Sequence, residues 1–196
     1  MSFVIFDLEY TSWKGCQEKG WKGKQKKEIV QCAAIKVSDD LMTVLGEFNV
    51  YCRPKINPVL SEYFKNLTGI TNQLIQKEGV SFLKAYRQFK KFVGSDKCFS
   101  HAWGRPWEDK ADGDIIQENL KLNNLAEDDA ICYYNIAAWF QEKYQENHLK
   151  NIPKSSGQIA KVLKRDAVLK KRGLDEHNAL YDVYSILEGL RFFEKH

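Results

Sequence analysis

The chain has 196 residues, of which 43% are hydrophobic and 29% are charged, and it carries a formal net charge of +4. This length and apolar content predict one domain over residues 1–196 and exclude a disordered chain, while the mild positive charge falls short of the footprint of a dedicated nucleic-acid-binding protein. No stretch approaches the ~20 apolar residues of a membrane-spanning helix and no signal-peptide pattern opens the sequence, so we expect neither membrane insertion nor secretion.

The first half of the chain predicts an antiparallel start to a sheet. Residues 3–6 are a continuous apolar run, typical of a strand buried on both faces, and Asp7 ends it. Residues 12–27, rich in lysine and glycine, have the character of an exposed basic loop. Residues 28–37 and 44–52 are β-prone and are separated by turn-forming residues, so they predict a hairpin that continues from the first strand.

The second half is predicted to be mainly helical. A short helical stretch opens at Ser61, residues 81–93 have the period of an amphipathic helix, and residues 98–103 resemble a fourth strand. Further helices are expected at residues 112–122, 130–144, 155–163 and 178–193. Strands followed by helices with one more strand between them indicate an α/β protein with a mixed sheet and helices packed on it.

Two acids end the first strand. Asp7 and Glu9 are two residues apart, so on a pleated strand their carboxylates project to the same face. One interpretation is that the strand stops there and both acids are solvated. The other is that divalent cations compensate the two like charges, because Mg²⁺ and Mn²⁺ are held by one or two carboxylates while keeping water and phosphate ligands.

A histidine and an acid stand near the last predicted helix. Asp182 borders the apolar stripe of this helix, where it either lies near the sheet or forms a surface salt bridge. On one continuous helix, His177 and Asp182 would lie ~140° apart, so they share a site only if His177 is in the loop or first turn before the helix. Asp175 or Asn178 is suited to cap that turn. His177 is either an exposed loop side chain or a base that accepts a proton from water.

Together these segments resemble the DEDDh exonucleases of the ribonuclease H-like superfamily, most closely the branch that trims histone mRNA and small RNAs. Residues 3–11 are similar to the first motif of that family, an apolar strand followed by D-x-E-x-T. Residues 177–182 match its H-x4-D motif, and residues 53–71 resemble its P-x-x-L-S…LTGIT stretch. The resemblance covers nearly the whole chain except residues 12–27.

The resemblance implies a ribonuclease H-like fold, a mixed five-stranded sheet with antiparallel first three strands, flanked by helices. It also implies a 3′-to-5′ exonuclease that removes nucleoside 5′-monophosphates from the 3′ end of single-stranded RNA or DNA, using two divalent cations, Mg²⁺ or Mn²⁺. By resemblance, His177 is the general base and the metal ligands are Asp7, Glu9, Asp112 and Asp182. The substrate contacts it implies are Tyr10, Thr11, Leu67, Thr68, Gly69 and Ile70, with Leu67 and Ile70 offering apolar surface to the terminal base.

The middle metal ligand has three candidates. The family places this acid just before a helix, with apolar residues three and four positions later. Asp112 fits best because Ile115 and Ile116 stand at those positions; Asp114 is second and Asp109 third. Residues 103–108 precede these acids where the family pattern is shorter, which predicts an insertion or a distorted loop.

The five cysteines are an odd number without a paired CxxC spacing. They indicate neither a disulfide framework nor a cysteine zinc site, and free thiols are typical of the cytoplasm, where we expect the protein to reside.

Two other functions compete with the exonuclease. A catalytically silent module could keep the fold and bind nucleic acid or a protein partner, and an endonuclease or integrase could use the same clustered acids. The second alternative has no need for the H-x4-D spacing or the LTGIT stretch. The basic loop is likewise open to two interpretations: Trp13, Trp21 and the lysines contact a single strand, or the loop is solvated and mobile.

Overall fold

The computed structural model describes residues 2–102 and 110–194. Its strands are β1 (Ser2–Tyr10), β2 (Ile29–Ser38), β3 (Val44–Tyr51), β4 (Cys98–Ser100) and β5 (Tyr133–Asn135). Its helices are α1 (Cys16–Lys19), α2 (Glu62–Thr68), α3 (Asn72–Glu78), α4 (Phe82–Val93), α5 (Asp112–Leu122), α6 (Ala137–Glu146), α7 (Gln158–Val162), α8 (Ala167–Lys171) and α9 (Ala179–Phe193). Within these two ranges, no helix is both long and apolar enough to cross a membrane.

The five strands form one mixed sheet in the order β3-β2-β1-β4-β5. β1 pairs with β2 and β2 pairs with β3 in antiparallel fashion, whereas β1 with β4 and β4 with β5 are parallel. The predicted α/β architecture, a mixed five-stranded sheet with antiparallel first three strands, is confirmed. β1 lies at the centre of the sheet, between β2 and β4.

Successive residues of β1 face opposite layers of helices. Ile5 packs in a core cluster with residues of α6, α7 and α9. Val4 and Phe6 point the other way, into a cluster with residues of α4 and α5. Because side chains alternate along a strand, Asp7 and Glu9 lie on the same face as Ile5, the face that α9 covers.

The predicted helix over residues 130–144 is wrong at its beginning. Tyr133–Asn135 forms β5, and α6 starts only at Ala137. The amide of Cys98 donates to the carbonyl of Cys132 at 2.9 Å, and the Tyr133 ring lies 5.5 Å from the ring of Phe6. Pairing with the free edge of β4 and the β-propensity of the two tyrosines therefore favour a strand at a position where the hydrophobic period predicted a helix.

Other predicted elements differ in extent. The fourth strand ends at Ser100 and α7 is shorter than expected, while α3, α8 and the short α1 were not predicted. Residue 103, predicted at the end of the fourth strand, and the predicted insertion at 103–108 lie outside the described residues. The starts of α2, α3 and α4 follow a common local rule, since the side chain of the residue before each helix accepts a backbone N–H from its first turn; these residues are Ser61, Thr71 and Ser81.

All five cysteines are free thiols, and four of them are buried. Burial raises the pKa of the Cys52 and Cys98 thiols to about 12. Both are therefore protonated at neutral pH and are poor nucleophiles and metal ligands.

Candidate active site

Three carboxylates meet where β1 passes the start of α9. Asp7, Glu9 and Asp182 each have an oxygen within 4.8 Å of the others. Asp7 and Asp182 are only 6% and 4% exposed. In the described ranges, no lysine or arginine forms an ion pair with any of the three. Among the described residues, the fold thus brings three acids together without an ion-pair partner for any of them.

The cluster holds protons more tightly than ordinary acids do. Burial raises the pKa of Asp7 well above its usual value, and the charges of Asp182, Asp112 and Glu9 add to the effect. Burial likewise raises the pKa of Glu9, and it raises the pKa of Asp182 to about 7, although a hydrogen bond from Ser156 opposes the shift. A bound cation would favour the ionised forms.

Asp112 approaches the cluster from the other side of the sheet. It is the first residue of α5, whose apolar residues pack in the cluster on the face opposite α9. Its charge raises the pKa of both Asp7 and Glu9, and it lines the same pocket. Asp114 is exposed, and Asp109 lies outside the described residues. Of the two candidates that the structure describes, Asp112 is the one placed with the other acids.

His177 lies in the turn before α9, as the spacing argument requires. Its backbone adopts a left-handed conformation with φ 64°, and its side chain is 38% exposed in the pocket that holds the acids. Asn178 caps the helix, because its side-chain oxygen accepts the Leu180 N–H at 3.0 Å. Of the two predicted caps, Asn178 is confirmed. A partly exposed imidazole beside the acids can accept a proton from a water molecule in the pocket.

Gln31 of β2 anchors this turn, although nothing in the sequence singled it out. Its side chain is fully buried, accepts the Ala179 N–H at 3.2 Å and donates to the Asn178 side-chain oxygen at 3.2 Å. The first turn of α9 is thereby fixed to the sheet, which sets the position of His177 relative to Asp7.

A tight loop before α7 also supports the acids and was missed from sequence. The Ser156 hydroxyl lies 3.2 Å from Asp7 Oδ1 and 3.1 Å from Asp182 Oδ2, so it bridges the two carboxylates. The Ser185 hydroxyl on α9 donates to the Ser156 carbonyl at 2.7 Å. A Cβ atom at Gly157 would stand 2.4 Å from Asp182 Oδ1, so only glycine allows this close approach. The pattern Ser-Ser-Gly is too common in loops to reveal this role.

The acids and His177 line a pocket of about 400 Å³. The residue types in it suit a hard divalent cation, since carboxylate oxygens are the ligands that Mg²⁺ and Mn²⁺ prefer. Asp182 Oδ1 is buried and has no hydrogen-bond partner within the described part of the chain. Both the excess of clustered negative charge and this unsatisfied oxygen fit a bound cation, and Asp7, Glu9, Asp112 and Asp182 are the residues that would hold it.

The predicted substrate contacts separate into two groups. Tyr10 and Leu67 line the pocket of the acids. Leu67 also borders an adjoining cleft of about 340 Å³, lined by Thr68 and Gly69 as well. Gly69 is exposed and has φ 72°, so its backbone is accessible to a ligand in that cleft.

Two predicted substrate contacts are buried. Ile70 borders the adjoining cleft, but its side chain is 1% exposed and packs with Phe64 and Ile75. Thr11 is 2% exposed, and its hydroxyl accepts the Glu28 N–H at 3.0 Å at the base of the basic loop. Both were expected to contact substrate by resemblance to the family, and motif positions alone do not show which side of the backbone the core occupies.

A model of the exonuclease family known as RNase T matches residues 4–190. ERI1 exoribonuclease 2 of Xenopus laevis is 30% identical over 91 residues, which cover 46% of this chain and 12% of that protein. The 3′-5′ exonuclease eri1 of Schizosaccharomyces pombe is 34% identical over 74 residues, 38% of this chain and 23% of that protein. The match spans less than a quarter of the length of either relative.

The fold has counterparts among solved structures. Cell-death related nuclease 4 (CRN-4) superposes on 99% of this chain and 64% of its own, with a TM-score of 0.76 and 19% sequence identity. At this identity the likeness demonstrates a shared fold.

Proposed function

The chain belongs to the RNase T exonuclease family, in agreement with the resemblance seen in its sequence, and on that premise we propose that it is a metal-dependent 3′-to-5′ exonuclease. Its substrate is the 3′ end of a single-stranded nucleic acid, and its products are nucleoside 5′-monophosphates. The names of the relatives, an exoribonuclease and a 3′-5′ exonuclease, favour RNA and this direction of cleavage.

The observation that carries the proposal is the meeting of four acids and a histidine in one pocket. Asp7 and Glu9 come from β1, Asp112 from α5, His177 from the turn before α9 and Asp182 from its first turn. Three carboxylates lie within 4.8 Å of one another, and such a cluster destabilises a fold that binds no cation. This arrangement therefore favours a metal-dependent enzyme over a catalytically silent module.

The residues divide into those that hold cations and one that moves a proton. Asp7, Glu9, Asp112 and Asp182 would hold Mg²⁺ or Mn²⁺, which when bound lowers the pKa of water and neutralises charge on the scissile phosphate. His177 accepts the proton of the attacking water at an imidazole nitrogen, and its exposure allows that proton to pass to solvent. Ser156 keeps the Asp7 and Asp182 carboxylates together before a cation binds.

The wall of the pocket supplies contacts for the terminal nucleotide. Tyr10 and Leu67 present partly buried side chains there, and Tyr63 stands 37% exposed beside them. Apolar and aromatic surfaces of this kind accept any base, since stacking is tolerant of sequence. We therefore expect little dependence of the rate on base identity.

The proposal is tested with single strands of RNA and DNA labelled at the 5′ or the 3′ end, incubated with Mg²⁺, Mn²⁺ or EDTA. With the 5′ label we expect a ladder that shortens from the 3′ end, and with the 3′ label an immediate release of mononucleotide. EDTA and the Asp7→Asn substitution should abolish both. Internal cuts, or cleavage that persists in EDTA, would refute the proposal.

Two acids on α5 offer a matched pair of variants. Asp112→Asn removes an acid of the pocket, whereas Asp114→Asn removes an exposed acid two residues later on the same helix. We expect the first variant to lose most of its activity and the second to retain it. The reverse result would assign the middle metal ligand to Asp114.

A further inference from the structure

The basic loop, residues 12–27, carries a charge out of proportion to its length. Its six lysines and one glutamate give +5, more than the formal charge of +4 on the whole chain. Five of the lysines are exposed, and in the described ranges none of these five forms an ion pair; they are Lys14, Lys19, Lys22, Lys24 and Lys26. The chain outside the loop therefore carries slightly more acid than base, and its positive charge is concentrated here.

The loop is tied to the body of the protein. The Trp21 indole N–H donates to the Thr11 carbonyl at 2.9 Å, and its ring lies 6.0 Å from the ring of Tyr10. On the other side, Asn57 accepts the Lys26 N–H at 3.0 Å and donates to the Lys24 carbonyl at 3.2 Å. These bonds use the backbone of the lysines and leave their ammonium groups in solvent. The Trp21 side chain therefore fixes the loop to the end of β1.

The loop begins at the wall of the catalytic pocket. Tyr10 lines the pocket and contacts Trp21, while Ser12 lines it and accepts a hydrogen bond from the Ser61 hydroxyl through its carbonyl. A strand whose 3′ end enters the pocket has further nucleotides outside it, and the loop is one of the surfaces they meet on leaving.

The acids of the pocket repel phosphate in their ionised form until cations bind, and the described residues that line the pocket include a single lysine, Lys154. Cationic side chains elsewhere on the surface therefore add to the attraction of the strand. Lysine ammonium groups on a fixed backbone attract the phosphates of a single strand irrespective of sequence, and each phosphate contact adds ~0.7 to the slope of log K against log salt.

We propose that the basic loop is a binding site for the sugar-phosphate backbone of single-stranded nucleic acid, upstream of the nucleotide being removed. The site deepens the proposed function and rests on it, since the exonuclease supplies the reason for a strand to lie there. Its role is to hold long strands, while the pocket alone handles the shortest ones.

The experiment compares two triple variants that change the net charge by the same amount. The loop variant carries Lys22→Gln, Lys24→Gln and Lys26→Gln. The control variant carries three substitutions on the exposed face of α4, where the cations are also exposed and without an ion pair in the described structure; they are Lys84→Gln, Arg87→Gln and Lys91→Gln. Unchanged melting temperatures of both variants establish that each is folded.

Binding is measured by fluorescence anisotropy in EDTA, with a fluorescein-labelled oligo(U) strand of about 20 nucleotides, longer than the ~4–16 nucleotides that single-strand grooves contact. Three lost contacts reduce the salt slope by about 2 and weaken binding ten- to a hundredfold near 0.1 M salt. The control should stay within twofold of the wild type. The inference is overturned if the wild type does not bind the strand, if the loop variant binds as the wild type does, or if the control loses as much affinity.

Cleavage kinetics separate this inference from the proposed function. With Mn²⁺, the loop variant should show a raised KM for the long strand, an unchanged kcat, and unaltered cleavage of a dinucleotide. If the wild type cleaves no strand but binds it through the loop, the proposed exonuclease activity fails and the binding site stands. If the wild type cleaves and the two triple variants have the same KM, the loop site fails alone.

Discussion

The substitution Asp182→Asn should remove a pH-dependent destabilisation of the metal-free protein. Burial raises the pKa of Asp182 from its ordinary value of 3.8 to about 7. Between these two values the unfolded chain has lost the proton while the folded protein retains it. The free energy of unfolding therefore falls as the pH rises from about 4 to about 7, and stays low above that. Asparagine has no proton to lose in this range, so the variant lacks this contribution.

The size of the effect follows from the pKa difference. A shift of about three units corresponds to about 4 kcal/mol, at 1.36 kcal/mol for each unit, and the group is 4% exposed, so solvent screens it little. For a chain of this length, 1 kcal/mol moves the melting temperature by ~2–4 °C. The variant should thus melt on the order of 10 °C above the wild type at pH 8, with little gain near pH 4.

The assay is thermal unfolding followed by circular dichroism in EDTA, from pH 4 to pH 8.5, with Asp114→Asn as the control for loss of an exposed acid. Saturating Mn²⁺ should raise the melting temperature of the wild type, more at pH 8 than at pH 5, because the cation binds the ionised carboxylates. If the variant and the wild type differ by the same amount at every pH, the burial argument for Asp182 is wrong.

Three further substitutions test single features. His177→Gln should lower kcat by ~10² to 10⁴ and leave Mn²⁺ affinity in a calorimetric titration unchanged; a matching loss of affinity would mean that the side chain serves the cation instead. Gly157→Ala places a Cβ 2.4 Å from Asp182 Oδ1, so Mn²⁺ affinity should fall ~10- to 100-fold, and wild-type affinity would disprove the close contact. Asn119→Ala removes the side chain that accepts the Ile29 N–H and donates to the Lys27 and Ile115 carbonyls. The free energy of unfolding measured in urea should therefore fall by ~2–4 kcal/mol. A loss below ~1 kcal/mol would show that water replaces these bonds.

Local spacing was enough to predict how two parts of the candidate site are arranged, whereas the catalytic roles of its residues rest on the family resemblance. The alternation of a strand places Asp7 and Glu9 on one face, and the angle between residues on a helix requires His177 to lie before α9. These relations involve neighbours in sequence, so one chain suffices to derive them. The sheet with its antiparallel start followed from apolar runs and turns for the same reason.

The supporting contacts could not be predicted, because they join segments that are distant in sequence. Gln31 holds the first turn of α9, and Ser156 joins carboxylates of β1 and α9. Glutamine in a strand and serine in a loop are common, and only the fold shows what stands opposite them. The same limit applies to Ile70, whose burial against Phe64 and Ile75 is visible only in the fold.

Short elements were the other source of error. Tyr133–Asn135 is only three residues long and leads almost directly into α6. Its hydrophobic pattern therefore cannot be distinguished from the pattern of the helix that follows. Its strand conformation depends on the open edge of β4, a partner that comes more than 30 residues earlier in the chain. Three-residue strands of this kind are specified by the sheet that they join.

The acids of the pocket come from both sides of the sheet, with Asp182 on the helix that covers one face and Asp112 on a helix that covers the other. Whatever holds these carboxylates together acts as a non-covalent crosslink between two layers that are otherwise joined through the strands. Local opening of α5 or of α9 would then have to break the same link, so the two layers would fluctuate as one cooperative unit when the site is filled and more independently when it is not.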